Sequence, residues 1–213
     1  MLHASRPMFI TFEGPEGSGK TSQIGMLADH LRAQDFTVIT TREPGGTPIG
    51  DQIRTCLHDV ANTDMAAETE LLLYSASRAQ LVRQVIRPSL AAGHVVICDR
   101  FADSTLAYQG YGRGLDRAQL ALLTAVATGG LQPDLTILLD IEIERGLARR
   151  ANNGEEMNRL DLETAAFHRR VRQGYHHLMA QEPGRWRLVD AERTAAAVFA
   201  DVRQVVKEAI SQK

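Results

Sequence analysis

Residues 8–21 read MFITFEGPEGSGKT, an apolar run that ends in a glycine-rich turn and passes straight into KTSQIGMLADHL. The first six residues have the length and composition of a buried strand, and Ile24, Leu27, Ala28 and Leu31 then recur at helical spacing over 19–33. The turn between them has the spacing Gly14-x4-Gly19-Lys20-Thr21. Glycines there allow positive φ and close backbone approach, so successive N–H groups and the start of the next helix form a nest for anions. In this strand–loop–helix context the spacing is that of a nucleotide phosphate loop, formed by Gly14, Pro15, Glu16, Gly17, Ser18, Gly19, Lys20 and Thr21. Lys20 would reach the β- and γ-phosphates and the Thr21 hydroxyl would bind Mg²⁺. Glu16 is unexpected in such a loop, because a carboxylate repels phosphate and suits a hydroxyl donor.

Working outward, four further strand-like runs follow: TVITTRE (37–43), HVVICDR (94–100), LTILLDI (135–141) and RWRLVDA (185–191). Several are nearly all apolar, as expected of strands covered on both faces of a parallel sheet. Helical patterns separate them, including a broad apolar stripe over 66–92 and two patterns at 142–150 and 160–181. Alternating strand and helix predicts an α/β fold with right-handed crossovers and ligands at the carboxyl ends of the strands. Glu13, Arg42, Glu43, Asp99, Arg100 and Asp140 finish four of the strands at that rim. Residues 149–161, RRANNGEEMNRLD, are polar and arginine-bearing with a turn signal at Asn152-Asn153-Gly154, and are expected to form a mobile lid.

The 213 residues, 44% hydrophobic and 23% charged, suit a single domain over 1–213 with that lid inserted. A net charge of -2 gives no global attraction to nucleic acid or an anionic membrane. No run approaches the length of a membrane span, and MLHASRP lacks the apolar stretch of a signal peptide, so a cytoplasmic protein is expected. Cys56 and Cys98 are read as buried thiols in a reducing compartment. The seven histidines show no ligand spacing and are read as surface residues. Residues 1–7 and the tail after about 210 are expected to fray.

A phosphate loop alone does not choose among kinases, GTPase switches and ATP-driven machines. No NKxD base-reading motif is present, and the chain is short for a motor, which leaves a small-molecule kinase. Arg42 and Arg100 each follow a strand and would converge near the loop, where guanidinium forks could grip the dianionic phosphate of an acceptor. Asp99, at a strand end beside the loop, is a natural partner of the metal.

GPEGSGKT, REPGGT (42–47), DRF (99–101) with STLAYQGYGRG (104–114), and PDLTILLDI (133–141) together resemble the ordered motifs of bacterial thymidylate kinases. The resemblance runs from about residue 8 to residue 191. It implies a P-loop nucleoside-monophosphate-kinase fold, with a five-stranded parallel sheet flanked by helices and a small mobile lid. It implies phosphorylation of dTMP to dTDP with MgATP, and a homodimer. By the same resemblance Pro44 lines the acceptor site, Tyr74 stacks on thymine where the family more often has Phe, and Arg78 meets the base carbonyl. Thr105 and Gln109 lie near the base edge, Tyr108 lies against the sugar, and Glu16 lies near the 3′-hydroxyl. Members with an acidic residue in the loop and no arginine there carry the catalytic arginine in the lid, which points to Arg159 first and Arg149 second. Catalytic roles are thus expected for Lys20, Asp99, Arg100, Arg159 and Arg149, and metal contacts for Thr21 and Asp99. This lid is about one residue longer than the family form, with Asn158-Arg159 where Asp-Arg is frequent. Other acceptors, such as a different nucleoside monophosphate or a deoxynucleoside, and a nucleotide-dependent switch, stay open on the residues alone.

Overall fold

The computed structural model describes residues 7–152 and 157–212. Most of the N-terminal stretch expected to fray, and Asn153-Gly154 of the turn signal, lie outside the described residues. Strands β1 (Met8–Glu13), β2 (Val38–Arg42), β3 (Val95–Asp99), β4 (Leu135–Asp140) and β5 (Trp186–Asp190) form one parallel sheet in the order β2-β3-β1-β4-β5. All five coincide with the apolar runs of the sequence to within a residue or two.

Alternation along β1 explains why it lies at the centre. Met8, Ile10 and Phe12 pack on one face with Leu27 and Leu31 of α1 (Lys20–Arg32), and Phe9 packs on the other with Val96 and Phe101. Every residue of β1 is buried, whereas β2 and β5 at the sheet edges alternate buried and open positions. The expectation of strands covered on both faces therefore holds for the three inner strands only. The polar exceptions inside are paired: the hydroxyls of Thr11 and Thr136 lie 3.0 Å apart, and Arg185 donates to Thr136 at 2.8 Å and to Asp103.

Between β2 and β3 run α2 (Pro48–His58) and α3 (Ala67–Leu81). Thr47 caps α2 by accepting from the Gly50 N–H at 3.0 Å, with Pro48 in the first turn, where its missing N–H costs nothing. The stripe predicted over 66–92 is not one α-helix. After α3 it widens into a π turn (Val82–Ile86) and ends as α4 (Arg87–Ala91). Pro88 is the physical reason: it lacks an N–H and its ring crowds the carbonyl one turn back.

After β3 come the short α5 (Ala102–Thr105), a second π turn (Leu106–Gly112) and α6 (Arg117–Thr128), capped by Asp116. Helix α7 (Ile143–Asn152) leads to the 157–164 segment, then α8 (Ala165–Gln181) and, beyond β5, α9 (Ala195–Gln212). Helix α8 starts later than the pattern from 160 suggests, because Thr164 accepts from the Phe167 N–H and sets the first turn there.

Two burial expectations are corrected. Cys56 is exposed while Cys98 is buried, since Leu57 is the residue that α2 turns inward. His168 is buried, not at the surface, because it follows Phe167 on the inner stripe of α8 with Val171, Tyr175 and Leu178. Among the described residues, no helix is long and apolar enough to cross a membrane.

Candidate active site

The carboxyl ends of β1, β2 and β3 open into a cavity of about 680 Å³. Its lining brings together Glu16, Gly17, Gly19, Lys20 and Thr21 from the glycine loop with Arg42 and Pro44 after β2. Asp99 and Arg100 after β3, Tyr74 of α3, and Thr105, Tyr108 and Gln109 complete the set. Arg149 of α7 also lines it. The loop approaches α7 very closely: a Cβ on Gly17 would lie 2.0 Å from the Gly146 carbonyl oxygen, and one on Gly146 would lie 2.4 Å from that of Glu16. Only glycine at both positions permits that contact.

Arg100 is the most tightly held cation of the cavity wall. Its backbone sits at φ 67, a costly conformation for a residue with a Cβ. Its Nη1 donates to the Gly14 carbonyl and to the Tyr175 hydroxyl, both at 3.0 Å, and Nη2 donates to Glu16 at 2.8 Å. The guanidinium also lies 5.0 Å from the centre of the Tyr108 ring. Glu16 takes a second donor, the Tyr108 hydroxyl at 2.9 Å. Burial alone would push the Glu16 carboxyl up, but Arg100 and then Lys20 overcome it and hold it down to about 2. The carboxylate is therefore ionised at any working pH, an acceptor among cations.

Lys20 folds back onto the loop, donating to the carbonyls of Gly14 at 3.2 Å and Pro15 at 3.0 Å and to the Ser18 hydroxyl at 3.3 Å. Burial, with Arg100 nearby, lowers it to about 8. The Thr21 hydroxyl donates to Asp99 Oδ2 at 3.1 Å, which sets two hard oxygen donors side by side at the start of α1. No cluster of three or more His, Cys, Asp or Glu side chains placed to hold a metal ion occurs among the described residues. A metal here would need substrate phosphates and water to fill its shell.

Two expected residues stand elsewhere. Arg78 lies behind the wall, 1% exposed, with Nε on Glu43 at 2.8 Å, Nη1 on the Thr105 hydroxyl at 2.9 Å and Nη2 on the Phe101 carbonyl at 3.2 Å. Arg159 does not line the cavity; it is bonded to Glu70 and donates to the Leu57 carbonyl at 3.1 Å. Arg149 faces the cavity, anchored on the carbonyls of Ala191 at 2.8 Å and Glu192 at 3.1 Å. Asp140, although at the rim, is bound to Arg172 and His176 away from the cavity.

The loop, the paired arginines and the aromatic wall correspond to a family. The family model described as thymidylate kinase matches residues 12–202. The chain is 50% identical over 211 residues to a thymidylate kinase of Roseiflexus sp. (strain RS-1), covering 94% of this chain and 93% of that protein. It is 54% identical over 203 residues to a thymidylate kinase of Thermomicrobium roseum, with 93% and 96% covered. The chain belongs to the thymidylate kinase family. The fold agrees: the crystal structure of thymidylate kinase from Ehrlichia chaffeensis superposes with a TM-score of 0.76 at 34% identity, over 94% of this chain and 98% of that one.

Several residues of this site gave little signal in the sequence. Glu13 is fully buried beneath Arg100 and takes the Phe101 N–H at 2.8 Å, the Ser104 hydroxyl at 2.6 Å and the Tyr175 hydroxyl at 2.9 Å. Burial and the neighbouring Asp103 push its carboxyl up to about 7. Arg54 and His58 of α2 also line the cavity; burial and Arg54 lower His58 to about 4, so its imidazole is neutral. The charged strand end flagged Glu13 as a rim residue, but nothing in the α8 pattern distinguished Tyr175 from a core aromatic.

Proposed function

We propose that the protein transfers the γ-phosphoryl group of MgATP directly to the phosphate of dTMP, in line and without a covalent enzyme intermediate. The observation that carries this reading is the placement of Arg100, bonded at once to the Gly14 carbonyl of the phosphate loop and, through Glu16 and the Tyr108 ring, to the wall of the adjoining cavity. One guanidinium at that junction can span donor and acceptor phosphates. The acceptor phosphate is its own nucleophile, so catalysis rests on positioning and charge compensation.

In this reading the nest of residues 14–21 holds the ATP phosphates, and Lys20 leaves its loop carbonyls for the β- and γ-oxygens. Thr21 and Asp99 would hold Mg²⁺ when it enters with the nucleotide, and its charge would offset that of the phosphates. Arg42 and Arg100 grip the dTMP phosphate, Pro44 closes its side, and Tyr74 stacks on thymine. Arg78 acts on the base through Thr105. The ionised Glu16 accepts from the 3′-hydroxyl, and Tyr108 occupies the space a 2′-hydroxyl would need. The described flanks of the expected lid, 149–152 and 157–161, would close over the phosphates, with Arg149 the arginine best placed to meet the transferring group.

A homodimer would use the side-by-side helices α3 and α6, which leave Leu72, Leu122 and Val126 exposed by 55%, 67% and 73%. Two free thiols suit a reducing cytoplasm, where dTDP would feed dTTP supply. Steady-state rates with MgATP and a panel of dTMP, dUMP, UMP, dCMP and thymidine test the acceptor. The highest kcat/KM is expected for dTMP; preference for UMP or thymidine would overturn the reading.

A further inference from the structure

Behind the wall that faces the base, Glu70 gathers donors from three directions. It lies on α3 one turn before Tyr74 and is 1% exposed. Gln109 Nε2 donates to its Oε1 at 2.8 Å, Arg113 donates through Nη2 to Oε2 at 3.0 Å and Nε to Oε1 at 3.3 Å, and Arg159 is bonded to Oε2. Burial works against the charge, but the bonds from Arg113, Gln109 and Arg159 prevail and keep the carboxyl below its ordinary value. An ionised carboxylate offers acceptors only. The Gln109 amide must therefore turn its NH₂ end to Glu70, which directs its carbonyl oxygen away from the carboxylate as an acceptor for the cavity it lines.

Thr105 lies four residues earlier on the same wall and is fixed in the complementary sense. Its oxygen accepts from Arg78 Nη1 at 2.9 Å, which frees its hydrogen to point at the cavity. The wall thus presents a donor from Thr105 beside an acceptor from Gln109. A 4-oxo pyrimidine shows the matching pair, a carbonyl at C4 and an N–H at N3. Cytosine shows an amino group and a bare nitrogen, wrong at both positions.

We propose that Glu70 is a positioning residue for base selection: by locking the Gln109 amide it fixes an acceptor opposite N3–H and so favours thymine and uracil over cytosine. This rests on the acceptor site described above and adds the group that sets its selectivity. Neither Glu70 nor Arg113 touches the base; both act through Gln109.

The test compares kcat/KM for dTMP and dCMP in the full-length protein, in Glu70→Gln, Glu70→Asp and Gln109→Leu, and in the Glu70→Gln/Gln109→Leu double variant. Glu70→Gln supplies an NH₂ of its own and lets the Gln109 amide turn over, so the dTMP:dCMP ratio should fall about tenfold, mainly through KM. Glu70→Asp remains an acceptor and should keep most of the ratio. In the double variant the ratio should equal that of Gln109→Leu alone. Because each ratio is taken within one protein, a smaller folded fraction cancels. An unchanged ratio in Glu70→Gln, or a further fall on adding it to Gln109→Leu, would overturn the role of Glu70. A wild-type protein indifferent between dTMP and dCMP would instead refute the base site itself. Should Glu70→Gln fail to fold, the wild type still decides: dTMP should shift the Gln109 side-chain carbonyl ¹³C resonance and spare its amide ¹⁵N, and a still carbonyl refutes the lock.

Discussion

Tyr175→Phe removes a single oxygen from beneath the active site, and its cost should depend on pH. The hydroxyl is fully buried, donates to Glu13 Oε2 at 2.9 Å, accepts from Arg100 Nη1 at 3.0 Å and lies 2.8 Å from the Ser104 hydroxyl, which itself donates to Glu13. Hydrogen bonds to charged groups contribute about 1.5–3 kcal/mol each. Neither partner is left bare: Glu13 keeps the Ser104 hydroxyl and the Phe101 N–H, and Arg100 keeps Gly14 and Glu16. The total loss should therefore sit near the lower end, about 2–3 kcal/mol at pH 8, or roughly 5–10 °C in Tm for a chain of this size.

The pH dependence follows from Glu13, whose carboxyl stands at about 7 in the folded protein against 4.5 when unfolded. A carboxyl raised in this way contributes stability below its unfolded value and loses it as pH rises through the folded value. Tyr175 donates to the ionised form, so deleting the hydroxyl lifts the carboxyl further and extends that loss to higher pH. At pH 6 Glu13 is largely neutral and the missing bond is an ordinary one. At pH 8 it is ionised, and the gap between wild type and variant should be about 1 kcal/mol wider. Reversible thermal or urea unfolding at both pH values measures this. An equal loss at pH 6 and pH 8, or no loss, would refute the account of Glu13 and Tyr175 as the support under Arg100.

Two other predictions concern the loop and the lid. Arg149→Ala should lower kcat by about 100-fold, the scale of losing one preorganised donor to developing charge, while Arg159→Ala should cost less than about tenfold because Arg159 does not line the cavity and is bonded to the carboxylate of Glu70 instead; the reverse order, read by steady-state kinetics, would return the catalytic role to Arg159. Gly146→Ala places a methyl 2.4 Å from the backbone carbonyl oxygen of Glu16 and 3.3 Å from Ile141 Cγ2. The loop and α7 must part, which should cost about 1–3 kcal/mol in unfolding and raise KM for ATP; an unchanged KM would mean that this contact does not shape the phosphate nest.

The parts of the molecule legible in the sequence are those set by local rules. Strand-length apolar runs located all five strands, and glycine spacing located the phosphate loop, because both depend on neighbours within a few residues. Pairing across distance was not legible. Arg159 looked like a free cation in a polar segment, yet it is bonded to Glu70, 89 residues away. Arg78 shares the helix of Tyr74, and the sequence alone could not show that Glu43 holds it at 2.8 Å. His168 reads as a surface residue when the histidines are judged only by their lack of ligand spacing, although its place on the α8 stripe carries the opposite signal.

Glu16 shows how a local conflict can be resolved only by distant groups. Judged against a phosphate nest the carboxylate is a liability, since it repels the anion the loop exists to hold. Its charge is met instead by Arg100, which lies 84 residues on and would otherwise present an uncompensated cation in a confined wall at φ 67. An ion pair with 15% and 18% side-chain exposure is neither fully dry nor screened like a surface pair. Its main effect is orientation: with Glu16 on Nη2 and Gly14 and Tyr175 on Nη1, the guanidinium plane is set before any phosphate arrives. An arginine fixed in advance spends less side-chain entropy on binding. On the proposed reading, the acidic residue in the loop would serve the phosphates indirectly, through the cation it holds in place.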